Sequence, residues 1–358
     1  MKNKFTFSKY NNIFCDSSEA LKWAYENGLS KEALIQTSSP KLLLKKNPYI
    51  KHVESDWTLE KKKEFQRTIE NFSIDIYKSI FNSKKYSHEE SLCAALFALK
   101  IQNLIYKAAC LKAEDLFQSR LFLAVKGKGG RAGNFMNAPW QNLLDINPNF
   151  EIYSYNLANE IDQSLTTKGV SKRIRFLIGG WETFIYRLAL KIYKILPHNF
   201  FSKQVLIVNE NELIIETAAH LARKGIKIKK INLRNNIKQN STNIDLNLII
   251  RKIIPVLENR INKWVIPELR QKVQTEAISI FKNQMNEYYQ FFTEWNKELY
   301  RYKNRNNILF INSPASISGI AITGICRSKN IKVVSMQHGV SKEINEVHSA
   351  SLATYEIN

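Results

Sequence analysis

The chain has 358 residues, 44% hydrophobic and 11% aromatic, which allows two domains or one large domain with an insertion and is too apolar for a disordered protein. A formal net charge of +21 favours anionic partners such as nucleic acid, phosphorylated substrates or an anionic membrane surface, although Lys, Asn and Ile enrichment along the whole chain supplies part of that charge. Cys15, Cys93, Cys110 and Cys326 form no C-x-x-C pair and sit in apolar surroundings, so they offer neither a disulfide framework nor a zinc site and fit a reducing cytoplasm.

The start, Met1 to Phe5, carries positive charge but no apolar region follows it, unlike a signal peptide. Residues Asn12 to Glu54 then read as a compact βαβαβ unit. Its first strand, Asn12 to Cys15, runs into Asp16-Ser17-Ser18, where a helix begins that Asn27-Gly28 stops. A second strand, Ala33 to Gln36, precedes a short helix near Lys41 to Lys45, and Ile50 to Val53 forms a third strand. Trp57 to Phe81 is helical by the spacing of Phe65, Ile69, Phe72, Ile76 and Ile80. Ser87 and Glu90 have the spacing of a capping box, opening a second long helix with Leu92, Leu96, Leu99 and Leu104.

Arg120 to Val125 returns to strand character and enters a glycine-rich loop, Lys126 to Asn134. Gly127, Gly129 and Ala132 satisfy a loosened dinucleotide fingerprint, but no long helix follows and there is no Gly-Lys-Ser/Thr. Lys126, Lys128 and Arg131 around a glycine turn suit a phosphate; an ordinary surface loop is the alternative. Glu151 to Tyr155 alternates as a strand.

Ser171 to Leu196 reads as an amphipathic helix bent near Gly179-Gly180, too often interrupted by charge to span a membrane. Its stripe of Trp181, Phe184, Ile185, Leu188, Ile192 and Ile195 reads as a core-packing face, with docking on an anionic membrane as the alternative. Arg173, Arg175, Arg187, Lys191 and Lys194 are the basic residues that would meet such a surface. A second βαβ unit begins at Val205, with a helix from Leu213 to Lys224 and a strand from Ile226 to Leu233. A long helical region, Leu246 to Tyr302, is kinked or divided near Pro255 and Pro267. Its aromatic cluster around Tyr288 and Trp295 reads as core or interface in preference to a base-stacking platform. Strand Asn307 to Ile311, a helix from Ser316 to Arg327 and the strand ending in Gln337-His338-Gly339 close the pattern.

This alternation of strands and helices predicts an α/β fold, a Rossmann-like parallel sheet with long helical insertions near Trp57–Leu116 and Leu246–Tyr302. The expected division is a Rossmann-like βαβ unit with a helical insertion over 1–160 and an amphipathic connector over 161–203. The portion 204–340 is expected to complete the same sheet or domain, with 341–358 a tail leading to a further carboxy-terminal domain beyond the chain.

Ligands of open α/β sheets bind outside the carboxyl ends of the strands. Residues at those ends are therefore the candidate site: His338, Glu210 and Asp16 as catalytic groups, with Gln337, Gly339, Ser17, Asn209, Ser313, Lys126 and Arg131 as substrate-binding groups. Gly339 allows a sharp turn or a close backbone approach beside His338, and Asp16 and Glu210 are expected along one edge with it.

With Gln337-His338-Gly339 at a strand end and the run Asp16-Ser17-Ser18-Glu19-Ala20-Leu21, the chain resembles bacterial surface-carbohydrate biosynthesis proteins. These look like two-Rossmann-domain, GT-B type glycosyltransferases, some of which use CMP-activated Kdo-like or sialic-acid-like sugars. Ala33–Pro40 and Val205–Gly225 add to the likeness, and His338-Gly339 is similar to the Trp-His-Gly of teichoic-acid glycerophosphotransferases, with Gln337 in place of the tryptophan. The resemblance implies a GT-B-like amino-terminal half in capsule or lipopolysaccharide synthesis. It implies a nucleotide-sugar donor, a lipid-linked or polysaccharide acceptor, and a place in the cytoplasm or on the inner face of the bacterial cytoplasmic membrane. No cofactor is expected. Without an Asp-x-Asp at a strand end no metal is expected either, since helix amino termini can hold the leaving phosphate.

A non-catalytic scaffold that binds a glycolipid or partner is the alternative. A nucleic-acid-binding protein fits the charge, but no zinc-finger spacing, RNP-like motif or concentrated basic helix accompanies it, so no nucleic-acid partner is expected.

Overall fold

The structure is a computed structural model that describes residues 7–15, 17–37, 39–44, 47–111, 120–126, 150–156, 180–195, 203–233, 246–302 and 306–336. It is a mixed α/β protein in which every pairing among the described strands is parallel, and these strands form two separate sheets.

The chain divides into two compact units, each assembled from three segments. The first comprises residues 1–68, 99–167 and 254–280. Its strands are β1 (Asn12–Cys15), β2 (Leu34–Thr37), β3 (Ile50–His52), β4 (Arg120–Lys126) and β5 (Phe150–Asn156), in the order β3-β2-β1-β4-β5. Helix α1 (Ser18–Glu26) is started by Ser17, whose extended backbone lets its hydroxyl accept the Ala20 amide at 3.2 Å. Asn27 caps its end and Gly28 takes the left-handed φ of 94° that lets the chain turn back. Ala20, Leu21 and Ala24 then face a core shared with Phe7, Ile13 and Ile35. Helix α2 (Pro40–Leu43) links β2 to β3.

The second unit comprises residues 69–98, 168–253 and 281–358. The portion 204–340, expected to complete the first sheet or domain, carries a sheet of its own: β6 (Lys203–Ile207), β7 (Lys227–Lys230), β8 (Asn306–Ile311) and β9 (Lys332–Ser335), ordered β7-β6-β8-β9. A second parallel sheet thus lies within these 358 residues. Helix α5 (Gly180–Ile195) precedes β6, α6 (Glu212–Arg223) follows it, and α9 (Ile317–Ser328) joins β8 to β9. Gly225, at φ 75°, ends α6 as Gly28 ends α1.

The two expected helical insertions are present as α3 (Leu59–Phe81) with α4 (His88–Cys110), and α7 (Asn247–Trp264) with α8 (Pro267–Leu299). Each of these four helices contributes one segment to either unit. The capping box forms as its spacing requires: the Ser87 hydroxyl accepts the Glu90 amide at 3.1 Å, and the Glu90 carboxylate accepts the Ser87 amide at 2.7 Å. By length and composition α4 is apolar enough to cross a membrane, but Cys93, Phe97, Ile101 and Ile105 on it are fully buried in the protein core. Pro267 starts α8, where a missing amide costs nothing, whereas Pro255 lies inside α7, which continues past it. Tyr288 and Trp295 are buried, as expected for core, and the Trp295 indole donates to the Ser318 hydroxyl at 2.9 Å.

In the first unit Arg260 lies 95% buried, being only 5% exposed, within a helical aromatic cluster. Its guanidinium sits 4.8 Å from the Phe65 ring centre and donates to the Phe65 carbonyl and the Thr68 hydroxyl. Burial lowers its pKa to about 10, so it stays a cation at neutral pH. Substituting Arg260→Ala empties this space and removes the guanidinium's hydrogen bonds to the Phe65 carbonyl and the Thr68 hydroxyl, which should cost about 3 kcal/mol in urea unfolding. A loss below about 1 kcal/mol would place the stability of this cluster in its rings alone.

Candidate functional site

Each sheet has one place where successive connections leave in opposite directions. In the first unit it lies between β1 and β4, in the second between β6 and β8. Such switch points open a crevice at the strands' carboxyl ends, where ligands of open parallel sheets bind. The residues around each follow from the chain. Cys15 ends β1 and Ser17 opens the turn into α1, and Lys126 ends β4. Asn209 and Glu210 follow β6, and Asn312 and Ser313 follow β8.

The candidates picked from the sequence therefore fall at two switch points instead of one sheet edge. Asp16 follows β1 and Glu210 follows β6, and these strands belong to different sheets. The strands β1–β5 pair only among themselves and so do β6–β9, which puts the two residues on different sheets. Asp16, Arg131, Gln337, His338 and Gly339 lie outside the described residues, as does the glycine-rich loop after Lys126.

Ser17 is spent on structure. It is 9% exposed, its oxygen caps α1, and its hydroxyl donates to Glu19 Oε2 at 3.1 Å. Ser313 is exposed and donates to Asn312 Oδ1 at 2.9 Å, while its carbonyl accepts from Ser316 Oγ at 2.9 Å. That loop is pressed against the first turn of α9. A Cβ on Gly319 would come within 2.1 Å of the Ser313 carbonyl oxygen, so only glycine fits. Asn209 is exposed beside Glu210.

Glu210 is the best-defined charged group of the second switch point. Its Oε1 accepts from the Tyr186 hydroxyl of α5 at 2.8 Å and pairs with Lys230 Nζ, at the end of β7, at 2.8 Å. Partial burial opposes the charged carboxylate, but the hydrogen bonds from Lys230 and Tyr186, with the charges of Lys230 and Arg187, outweigh it and hold its pKa below the usual range. Burial, then the bond to Glu210, drives the Tyr186 hydroxyl well above its ordinary pKa. Glu210 is thus a committed anion and a weak proton acceptor, while Lys230 brings a cation, itself 35% exposed, to the strand ends.

Asn211, absent from the sequence-based candidates, joins three parts of this edge. It is 5% exposed; its Oδ1 accepts the Ile214 amide at 2.8 Å, capping α6, and its Nδ2 donates to the Met336 carbonyl at 2.8 Å. Met336 in turn donates its amide to the Ile311 carbonyl at 2.9 Å. The β6 turn therefore fixes the position from which the chain enters Gln337-His338-Gly339.

No family model, curated protein or solved structure matches this chain. The site is characterised by its own geometry. Lys230 and Asn211 were within reach of sequence reasoning: the Lys227–Lys230 strand ends on a lysine, and Asn211 has the offset of a helix cap. Tyr186 was not, because nothing local distinguishes it from the other aromatics of α5.

Two measurements follow. Asn211→Ala should lower stability by about 1–2 kcal/mol in urea unfolding, whereas Asn211→Asp, which keeps the cap and loses the donor to Met336, should lose less. Equal losses would mean the tie to Met336 carries the effect. For Glu210, a folded pKa below the unfolded value makes its contribution complete above the ordinary carboxylate range and lost as pH falls through the folded value. The melting temperatures of the wild type and Glu210→Gln should therefore differ at neutral pH and converge on acidification; a pH-independent gap would refute the coupling.

Proposed function

We propose that this chain is a glycosyltransferase, or the acceptor-side part of one, of bacterial surface polysaccharide or lipopolysaccharide synthesis. It transfers a sugar from a nucleotide donor to a glycan or glycolipid acceptor, with CMP-activated Kdo-like or sialic-acid-like sugars as the first donors to test. The observation that carries this reading is the pair of separate all-parallel sheets, each with its own switch point. That pairing is what a two-Rossmann-domain, GT-B-like transferase requires, one crevice for each substrate.

The chemistry at the edge is compatible. Glycosyl transfer needs a base for the acceptor hydroxyl and positive groups for the departing phosphate. Lys230 and the amino terminus of α6 supply positive character at the second switch point. Glu210 orients Lys230 and Tyr186, and its lowered pKa makes it a poor base, so the base is assigned to His338. Asn211, through Met336, sets where that segment starts.

A second reading, a glycolipid- or partner-binding scaffold without chemistry, is favoured by the occupation of the Glu210 carboxylate by Tyr186 and Lys230. Incubating the protein with a panel of nucleotide sugars and lipid-linked or polysaccharide acceptors separates the two. Donor-dependent transfer supports the enzyme, and acceptor binding without nucleotide release supports the scaffold. Under the enzyme reading His338→Ala abolishes transfer and leaves the melting temperature nearly unchanged. Full activity in that variant with every competent donor refutes the assignment of the base.

A further inference from the structure

Helix α5 is anchored to the second unit by one face, and it is not the face that hydrophobicity selects. Tyr186 and Ala189 are buried, with Ile185, Leu190 and Tyr193 packed against the same core. Polar tips complete the attachment: Tyr186 donates to Glu210, Tyr193 donates to the Ala222 carbonyl at 3.3 Å, and Glu182 pairs with Arg223 at 2.5 Å. These three residues share one side of the helix, at i, i+4 and i+11.

The opposite side carries the apolar stripe. Trp181 is 69% exposed, Leu188 43%, Ile192 44% and Ile195 84%, and Trp181 stacks on Phe184 with ring centres 5.2 Å apart. Of the stripe expected to pack into the core, Ile185 does so, whereas Trp181, Leu188, Ile192 and Ile195 face solvent; the core side is taken by aromatic residues whose hydroxyl tips can satisfy polar groups at the sheet edge, which Leu or Ile cannot. Arg187, Lys191 and Lys194 are also exposed and, at 3.6 residues per turn, border the stripe along one flank.

We infer that this face of α5 is a docking surface for an anionic lipid bilayer. The helix lies in the plane of the interface with Trp181, Leu188, Ile192 and Ile195 in the acyl boundary and Arg187, Lys191 and Lys194 against lipid phosphates. Two features of this helix and one of the whole chain select lipid over a protein groove: an apolar stripe ending in an exposed tryptophan, a flank of cations with no exposed acid among them, and a net charge of +21. The inference rests on α5 alone and goes beyond the sugar-transfer reading, which can fail without affecting it.

The test is flotation of the purified protein with phosphatidylcholine vesicles, with and without phosphatidylglycerol, in the absence of any sugar donor. Binding should need phosphatidylglycerol and weaken as salt rises. Because a basic residue near an anionic surface is worth about 1 kcal/mol, Lys191→Ala and Lys194→Ala should each reduce partitioning about five-fold. Leu188→Glu with Ile192→Glu should abolish it, and since both side chains are exposed the variant should keep the wild-type melting temperature. Equal binding to pure phosphatidylcholine, no binding to either vesicle, or binding unaffected by the paired glutamates would overturn the proposal. So would concentration-dependent dimerisation that the paired glutamates abolish, which would assign the stripe to a second copy of the chain.

Discussion

The bond between the Asn211 amide and the Met336 carbonyl is the contact on which the second switch point depends. Parallel strands are joined by ladders along their length, but the ladder ends where the functional loops begin. Beyond that point each loop needs its own restraint. Asn211 supplies two from one side chain, closing the first turn of α6 with its oxygen and holding the exit of β9 with its nitrogen. The Met336 amide and the Ile311 carbonyl continue the pairing of β8 with β9 by one more bond. The ends of β6, β8 and β9 are thereby related to one another through a buried amide, without a charged group being consumed.

Glu210, one residue earlier, does the complementary electrostatic work. A carboxylate at the crevice could serve as a base only if its surroundings left its proton affinity intact. Two donors on one oxygen do the reverse, stabilising the anion more than partial burial destabilises it. The same contacts hold the Tyr186 ring in the core of the second unit, so the residue that anchors α5 and the residue that tunes the crevice are one pair. Adjacent residues of one loop thus divide positioning from charge.

Much of the architecture was legible because local signals and tertiary structure agree. Ser17, Asn211 and Ser316 each cap the helix that follows a strand, and Gly28 and Gly225 end helices at positive φ. The Ser87 and Glu90 capping box and the two helical insertions also appear where their spacing put them. The number of sheets was not legible. A strand sequence states that both its faces are covered, not which strand it pairs with, and the long helices between β7 and β8 conceal that β8 joins β6. The site was half legible for the same reason: strand ends could be found, but their grouping into two crevices requires the strand order. Ser17 shows a further ambiguity, since a serine after a strand serves equally as a cap or as a ligand group, and here it is a cap.

Helix α5 shows why hydrophobic periodicity names an apolar face without naming its partner. Six large apolar residues at helical spacing define a stripe, and a buried core is its usual destination. In this fold the core side is taken by Ala189 and by Tyr186 and Tyr193, the two tyrosines reaching Glu210 and the Ala222 carbonyl with their hydroxyls while their rings fill apolar space. Leu188 or Ile192 in their place would remove one donor from each acceptor, leaving Glu210 Oε1 with Lys230 and the Ala222 carbonyl with the Gly225 amide, at a cost of about 1 kcal/mol for each hydrogen bond lost. The hydrogen bonds of Tyr186 and Tyr193 at the edge of the sheet therefore favour the observed rotation of α5. That rotation turns Trp181, Leu188, Ile192 and Ile195 outward together with Arg187, Lys191 and Lys194, so the orientation that brings Tyr186 to Glu210 also exposes this face.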